Sequence, residues 1–379
     1  MSNFIPLSVP NLKGRELELT SAAVKSEWVS TGGPYVSEFE KNIAAYVGTD
    51  DSVVCQSGTA GLHLALLESG VLRGEIVIVP TLTFYATVEP VIYVGAVPVF
   101  MDCDDTLCID TAKLRRYCEE ECELRGGALF EKASGRRVRA VMPVHIFGNL
   151  ADMESVMDIA AEFGLFVVED ACEALGSRWT CGRYKGLHAG LVGDIGVFSF
   201  NGNKIVTTGG GGAIVAQSED KLKHMRYLSQ QAKDDAVRFI HNEVGFNYRM
   251  TNLQAALGIA QLEQLDGFIE IKKRNYELYR QLGVDLWPFC DNCSPNYWFY
   301  TLVTDNKRDL LLDELTKRGV QSRPIWQLMH LLKPFLGYRA YMTEKSEFFH
   351  KNVINLPCST NLSPDDVRTV ARAVGEILA

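Results

Sequence analysis

One lysine lies where its amine could act as a nucleophile. Lys204 follows an apolar, strand-like run and precedes four consecutive glycines, residues 209–212. A lysine amine becomes a useful nucleophile toward an aldehyde only when it is partly desolvated, and glycines let backbone and ligand approach closely. The pattern is typical of a Schiff-base lysine, although a solvated lysine beside a tight turn would give the same letters. Other segments of the chain must decide between the two interpretations.

A segment that could bind phosphate follows the first strand-like run. Residues 56–63 form a turn of small residues that opens a helix. The free N–H groups and the dipole of a helix N-terminus suit a phosphate. An ordinary helix cap by Ser57 or Thr59 is the alternative interpretation.

Side chains with further uses follow later strand-like runs. Phe84 or Tyr85 could stack on a planar ring, or could simply pack in the core. Asp170 ends a buried run, and Glu173 comes one turn later. A carboxylate at that place can keep a pyridine nitrogen protonated, as pyridoxal phosphate chemistry requires, although a lone Asp is often a helix cap. Ser199 can offer a hydroxyl to a phosphate.

The elements that must position these side chains alternate between strands and helices. Near-continuous Val and Ile runs separated by helical patterns predict a mostly parallel sheet with helices on both faces, and ligands of such sheets collect beyond the carboxyl ends of the strands. The predicted strands are 52–55, 75–79, 97–101, 138–142, 166–169, 195–200 and 212–215, with helices at 59–69 and 153–163. The sequence therefore predicts an α/β domain with one site at one edge of its sheet.

The pattern changes near residue 252. Residues 253–282 predict one long helix with the charged run 270–274 on its exposed side, and the rest predicts a small α+β unit. We therefore expect a large domain over 1–252, including an N-terminal arm, and a linking helix with a small domain over 253–379. Residues 119–139 are interpreted as an insertion, best as a solvated hairpin.

Composition excludes several classes of protein. A net charge of −9 argues against a general nucleic-acid surface, and no apolar run reaches membrane-spanning length, so we expect a cytoplasmic enzyme without membrane partners. The ten cysteines are typical of reduced core thiols. Cys290 and Cys293 could form a redox pair or half of a zinc site, but two flanking prolines favour an irregular loop, and we expect no metal.

Several motifs together resemble the DegT/StrS family of nucleotide-sugar aminotransferases. The resemblance covers nearly the whole chain, and its motifs are Ser57-Gly-Thr-Ala, Pro80-Thr-Leu-Thr-Phe, Glu169-Asp-Ala-Cys-Glu-Ala-Leu-Gly, Ser199-Phe-Asn-Gly-Asn-Lys, Gly245-Phe-Asn-Tyr-Arg-Met and Arg323-Pro-Ile-Trp-Gln-Leu-Met-His. It implies a fold-type I pyridoxal phosphate enzyme with a smaller C-terminal α+β domain.

The resemblance also implies roles for single residues. Lys204 would carry the internal aldimine, Asp170 would pair with the pyridine nitrogen, and Phe84 would stack on the ring. Asn247 would reach the phosphate of the neighbouring subunit's cofactor, which makes the protein a homodimer with shared active sites. The implied cofactor-binding residues are Gly58, Thr59, Phe84, Asp170, Glu173, Ser199, Asn201, Lys204 and Asn247.

Two departures from the family pattern bear on the substrate. Glu173 stands where many members have Gln, and Gly210 stands where many have Glu. Together with the segments 201–203 and 143–149, they resemble the subgroup that acts on UDP-linked N-acetylated 4-keto-6-deoxy sugars. A 3-keto sugar, or a sugar linked to GDP or dTDP, remains the alternative.

The expected reaction has two half-reactions. L-Glutamate would convert pyridoxal 5′-phosphate to pyridoxamine 5′-phosphate, which would then aminate a keto carbon of a nucleotide-linked hexose. The related sugar dehydratases have histidine at the position of Lys204, so lysine favours transamination; a catalytically silent protein and another fold-type I reaction are the remaining alternatives. The expected substrate-binding residues are Thr31, His145, Arg249, Arg323, Trp326 and His330.

Overall fold

Apolar runs of Val and Ile form the strands of a ten-stranded sheet in the computed structural model, which describes residues 4–379. In chain order the strands are β1 Val53–Cys55, β2 Ile76–Pro80, β3 Val97–Met101, β4 Cys122–Arg125, β5 Ala128–Glu131, β6 Arg137–Val141, β7 Phe166–Asp170, β8 Arg178–Trp179, β9 Ile195–Ser199, β10 Gly212–Ala216, β11 Lys233–Asp235, β12 Ile240–His241, β13 Cys293–Ser294, β14 Tyr300–Val303, β15 Arg323–Pro324, β16 Ala340–Tyr341 and β17 Val353–Leu356. The helices are α1 Glu16–Lys25, α2 Pro34–Val47, α3 Gly58–Glu68, α4 Tyr85–Tyr93, α5 Thr111–Arg116, α6 Met153–Phe163, α7 Glu219–Ser229, α8 Asn252–Leu262, α9 Leu265–Gln281, α10 Arg308–Lys317, α11 Glu344–Asn352 and α12 Pro364–Leu378.

The main sheet has the order β1-β10-β9-β7-β6-β2-β3-β16, and the hairpin β4–β5 joins it through β6. Strands β9, β7, β6, β2 and β3 run parallel, whereas β10 and β1 are antiparallel to their neighbours. The hairpin lies within the segment 119–139 that was interpreted as an insertion. The predicted α/β class and the mostly parallel sheet are confirmed.

Helices cover both faces of this sheet, as the unbroken apolar strands require. Along β2, Ile76 and Ile78 pack into one core, and Val77 and Val79 into the other. Buried residues of α2, α6 and α8 belong to the first core, and those of α3, α4 and α7 to the second. Alternate side chains of a strand point to opposite faces, so each strand stabilises both layers.

The predicted long helix over 253–282 is wrong in one respect, because two helices are present. Helix α8 ends at Leu262 and α9 begins at Leu265. The side-chain amide of Gln264 donates to Glu16 and to the carbonyl of Ala260, which stabilises the turn between the helices. The apolar spacing continues through this turn, so the periodicity alone predicted a single helix.

The charged run on α9 is not wholly exposed either. Lys272 is buried, and its ammonium donates to the carbonyls of Trp298 at 3.1 Å and Cys358 at 2.6 Å. Burial lowers the pKa of Lys272. The apolar stem of lysine can cross the core while its amine binds backbone oxygens at the far side.

The small C-terminal unit contains the antiparallel sheet β14-β17-β15, against which α10 packs, with α12 between α10 and α9. Two segments cross the boundary predicted at residue 252. Ile5 and Leu7 of the N-terminal arm bond to the backbones of Gly319 and Cys358, whereas β16 returns to the large sheet beside β3.

Across residues 4–379, the structure contains no helix long and apolar enough to cross a membrane.

Candidate active site

The loop between β9 and β10 carries Lys204. Ser199 and Gly212 face each other in the antiparallel pair, and Phe200 bonds through its backbone to Gly211 and Thr208, which closes the loop. The N–H of Lys204 donates to the carbonyl of Asn201 in a tight turn. The antiparallel pair thus fixes both ends of the loop and projects the lysine beyond the carboxyl end of β9.

The amine of Lys204 lies between a carboxylate and an aromatic ring. Its Nζ is 3.3 Å from Oε1 of Glu173 and 3.9 Å from the centre of the Trp298 ring. Only 11% of the lysine side chain is exposed. Lys204 is therefore partly desolvated, as a Schiff-base lysine requires.

Glu173 is buried and is held at both carboxylate oxygens. Its Oε2 accepts the backbone N–H of Phe147 at 2.8 Å, and Phe147 has a left-handed backbone with φ 57°. A left-handed backbone is uncommon for an aromatic residue and persists where surrounding contacts enforce it. Burial raises the pKa of Glu173 despite the opposing charge of Lys204. Glu173 therefore keeps its proton to higher pH than an exposed glutamate does.

Asp170 ends β7 and is also buried. Its Oδ2 accepts the hydroxyl of Thr87 at 2.7 Å, and its Oδ1 accepts the N–H of Cys172 at 3.1 Å. The Thr87 hydroxyl also lies 2.8 Å from that of Thr83. These bonds orient the carboxylate, which lines the same cavity as Lys204.

A narrow cleft forms around the N-terminus of α3. Ser57 caps the helix by accepting the N–H of Ala60, so the helix-cap interpretation of this residue is correct. A Cβ atom on Gly58 would lie 2.7 Å from Sγ of Cys172, and one on Gly212 would lie 2.7 Å from the backbone of Ser57. Glycine is thus required for β10 and the helix start to approach each other. Gly58, Thr59 and Ser199 line the resulting cleft.

Two adjoining cavities meet at Lys204. The inner cavity, of about 180 Å³, contains the helix start and Asp170, and the outer one, of about 620 Å³, contains Arg323 and Trp326. The residues that line both are Phe84, Glu173, Asn201 and Lys204. The lysine therefore stands at the passage between a small inner site and a larger outer site.

Three predicted residues lie in a separate place. Thr31, Asn247 and Arg249 line a cavity of about 480 Å³, together with Lys223, Arg226, Tyr227, Gln230 and Lys233. They line neither cavity at Lys204. Within one chain, these residues are thus separate from Lys204.

Two further predicted substrate-binding residues, His145 and His330, do not line the cavities at Lys204 either. His145 is wholly buried, its Nε2 lies 2.7 Å from Glu169 and its Nδ1 accepts the N–H of Ala151, so its prediction as a substrate ligand is wrong. His330 pairs through Nδ1 with the hydroxyl of Thr81 at 2.6 Å and is absent from both linings. The rings of both histidines bind protein groups instead.

The sequence did not point to several residues of the site. Thr87 lies in the first turn of α4, four residues after Thr83, and that spacing could have suggested a pair of hydroxyls at the start of the helix. Leu7 and Ser8 of the N-terminal arm line the outer cavity, which no local pattern indicates. Trp298 precedes β14, in the part of the chain that was predicted only to form a small α+β unit.

Known proteins similar to this chain are aminotransferases, which agrees with a reactive lysine at the site. Residues 10–375 match the model of the DegT/DnrJ/EryC1/StrS aminotransferase family. The chain belongs to this family. A GDP-perosamine synthase of Caulobacter vibrioides is 35% identical to this family member over 99% of this chain and 98% of its own. The spore coat polysaccharide biosynthesis protein SpsC of Bacillus subtilis is 33% identical over the whole of this chain and 98% of its own.

A solved structure of the family has the same fold. DesI, crystallised in the presence of its TDP-sugar product, superposes with a TM-score of 0.86 at 29% identity, covering 99% of this chain and 93% of its own. Family membership, together with the solved structure of S. venezuelae DesV in complex with a ketimine intermediate at 27% identity, establishes fold-type I architecture and the use of pyridoxal 5′-phosphate for this family member.

The inner cavity fits this cofactor. A helix start and the Ser199 hydroxyl at one part of the cavity can bind a phosphate, and the Asp170 carboxylate can bind a protonated pyridine nitrogen. Phe84, at the start of α4, can cover the ring, and Lys204 supplies the amine. The inner cavity therefore offers groups suited to the phosphate, the ring, the pyridine nitrogen and the aldehyde of this cofactor.

Proposed function

We propose that this aminotransferase moves the amino group of L-glutamate to the keto carbon of a nucleotide-linked 4-keto-6-deoxy hexose. The position of Lys204 between the inner and outer cavities is the observation that carries the proposal. The amine there can reach a cofactor in the inner cavity and a substrate carbon in the outer one. That arrangement suits proton transfer between the two molecules.

Lys204, Asp170 and Glu173 each have a defined role in this proposal. The bound cofactor supplies an aldehyde that takes up the donor's amino group and a ring that delocalises electrons. Lys204 would hold the cofactor through its amine and, when free, would move protons at the reacting carbon atoms. Asp170 keeps the pyridine nitrogen protonated, because a buried carboxylate favours a positive partner. Glu173 orients the lysine amine through its Oε1.

The outer cavity suits a polar sugar and its diphosphate. Arg323, Gln321 and Asn355 offer hydrogen-bonding groups, and Trp326 offers an apolar face. An arginine fork matches phosphate oxygens, so we assign Arg323 to the diphosphate. Leu7 and Ser8 complete the wall from the N-terminal arm.

The identity of the nucleotide that is linked to the sugar is the more specific part of the proposal. The similarity to the GDP-perosamine synthase of Caulobacter vibrioides supports a GDP-linked sugar as the first candidate. A UDP-linked N-acetylated sugar is the second candidate, because Glu173 and Gly210 resemble the residues of the subgroup that acts on such sugars. The similarity to the spore coat polysaccharide biosynthesis protein SpsC supports polysaccharide biosynthesis as the context of either candidate.

We expect the purified enzyme to distinguish these candidates by at least tenfold in kcat/KM. Enzyme in the pyridoxamine phosphate form should be mixed with GDP-, UDP- and dTDP-linked 4-keto-6-deoxy sugars, and the return of the visible absorption band followed. Labelled glutamate would then give a labelled amino sugar. If none of these sugars restores the band although glutamate removes it, the enzyme is an aminotransferase for another class of ketone, and the proposal fails.

The homodimer is also a proposal, supported by two features of one chain. Asn247 and Arg249 line a cationic cavity apart from Lys204, although phosphate-binding groups belong beside a cofactor. The segment around β11 and β12 next to this cavity has apolar side chains in solvent, with Val237 and Val244 each more than four-fifths exposed. A second copy that covers this surface would bring the cationic cavity of one protomer to the lysine of its partner.

Hybrid dimers test this arrangement. If Asn247 and Arg249 act on the partner's site, a dimer of one Lys204→Ala chain and one Asn247→Ala, Arg249→Ala chain contains one intact site and one doubly defective site. We expect it to recover about half of the wild-type turnover, although each parental dimer is nearly inactive. Separately tagged chains allow the hybrid to be isolated. Recovery no greater than the mean of the parents would show that these residues act within their own chain.

A further inference from the structure

Trp298 contacts the reactive amine directly, although no expected role was assigned to it. The Nζ of Lys204 lies over the indole face, 3.9 Å from the ring centre. Trp298 itself is buried, with 3% of its surface exposed. A cation over the face of tryptophan is attracted by the negative potential of the ring, and the attraction is stronger where water is excluded. The indole face is therefore positioned to attract a positively charged Lys204 amine.

The protein holds this ring rigidly. The indole N–H donates to the carbonyl of Asn203 at 2.8 Å, and the backbone N–H of Trp298 donates to Asn296 at 2.9 Å. Its carbonyl accepts the buried ammonium of Lys272, and its ring stacks on Phe299 with centres 4.1 Å apart. Because Asn203 immediately precedes the lysine, the ring is attached to the same loop whose amine it binds.

We propose that Trp298 is a further catalytic residue, whose indole face binds the ammonium of Lys204 whenever this lysine is not bonded to the cofactor. The inference rests on the proposed function, in which Lys204 alternates between a bond to the cofactor and a free amine. Glu173 binds the same ammonium through a carboxylate, so the free lysine has one charged and one aromatic partner.

This contact opposes attachment of the lysine to pyridoxal phosphate. On attachment, Lys204 releases its proton, its nitrogen bonds to the aldehyde carbon, and one water molecule leaves. The lysine then no longer carries a free ammonium for the ring to bind. Pyridoxamine phosphate has no aldehyde, so its binding leaves the ammonium on Trp298. Trp298 thus favours the pyridoxamine form of the enzyme.

Replacing the ring tests the inference through cofactor affinity rather than activity. In Trp298→Leu, we expect pyridoxal phosphate to bind more tightly while pyridoxamine phosphate binding is nearly unchanged. The ratio of the pyridoxamine to the pyridoxal phosphate dissociation constant should rise about 2- to 30-fold. Trp298→Phe keeps a weaker aromatic face and should give a smaller rise. Fluorescence titration of the cofactor-free full-length chain measures both constants.

A matched control is Trp287→Leu, because this indole packs on Phe349 and bonds to the carbonyl of Asp105, away from the lysine. It should leave the ratio unchanged. A purely structural role for Trp298 would weaken both cofactors, and that result, or an unchanged ratio in both Trp298 variants, would overturn the inference. If the ratio shifts but wild type aminates no nucleotide-linked ketone, the proposed function fails and this inference stands.

Discussion

Lys204→Ala is expected to abolish amino transfer and to remove the visible absorption band of the lysine-bound cofactor. The variant loses both the covalent attachment and the group that moves protons, so turnover should fall by at least about 10⁴-fold. The phosphate and pyridine contacts do not involve the lysine, so the variant should still bind pyridoxamine phosphate. Absorption spectra before and after L-glutamate, with single-turnover kinetics, measure both effects.

Lys273→Ala is the matched control, since this lysine is exposed on α9. It should keep the band and the response to glutamate. A band that persists in Lys204→Ala would assign the Schiff base to another amine, and the proposed site would then be wrong.

Asp170→Asn is expected to reduce turnover by roughly 10² to 10³-fold while the cofactor still binds. Asparagine keeps the size of the side chain and an oxygen for the Thr87 hydroxyl, but it has no negative charge to hold a proton on the pyridine nitrogen. Losing one partner of a buried charge pair has a cost of this order. Both half-reactions should slow, because each needs the ring to accept electrons.

Single-turnover reactions with glutamate and with the keto sugar measure the two halves separately. Asp158→Asn is a suitable control, since this aspartate is exposed and pairs with Arg183. It should leave both rates unchanged. If Asp170→Asn slows only the sugar half-reaction, Asp170 acts on the substrate and not on the cofactor.

Much of the fold follows from local patterns. The strands β1, β2, β3, β6, β7, β9 and β10 lie within one or two residues of their predicted bounds, because unbroken Val and Ile runs have few other structures available. The rule that ligands collect at the carboxyl ends of the strands correctly placed Asp170, Ser199 and Lys204 in one cavity. Asp170 and Ser199 are close in space because their strands, β7 and β9, are parallel neighbours in the sheet.

The remaining site residues depend on contacts that no local pattern encodes. Trp298 reaches Lys204 from a much later part of the chain, and Leu7 reaches the outer cavity from an early part of it. His145 shows the opposite error. It follows a strand end, as a ligand-binding residue would, but a carboxylate on the next strand binds its ring. Whether a side chain points to a cavity or to its neighbours depends on tertiary packing.

The pairing of the N-terminal arm has a consequence for the order in which the enzyme assembles. The backbone of Leu7 bonds to that of Cys358, 351 residues further along the chain. During synthesis, the backbone partners of Ile5 and Leu7, at Gly319 and Cys358, are made late, whereas every residue that lines the inner cavity is made earlier. Contacts between distant segments also form slowly. A nascent chain can therefore form the inner cavity first, and the part of the outer cavity's wall that Leu7 supplies closes last.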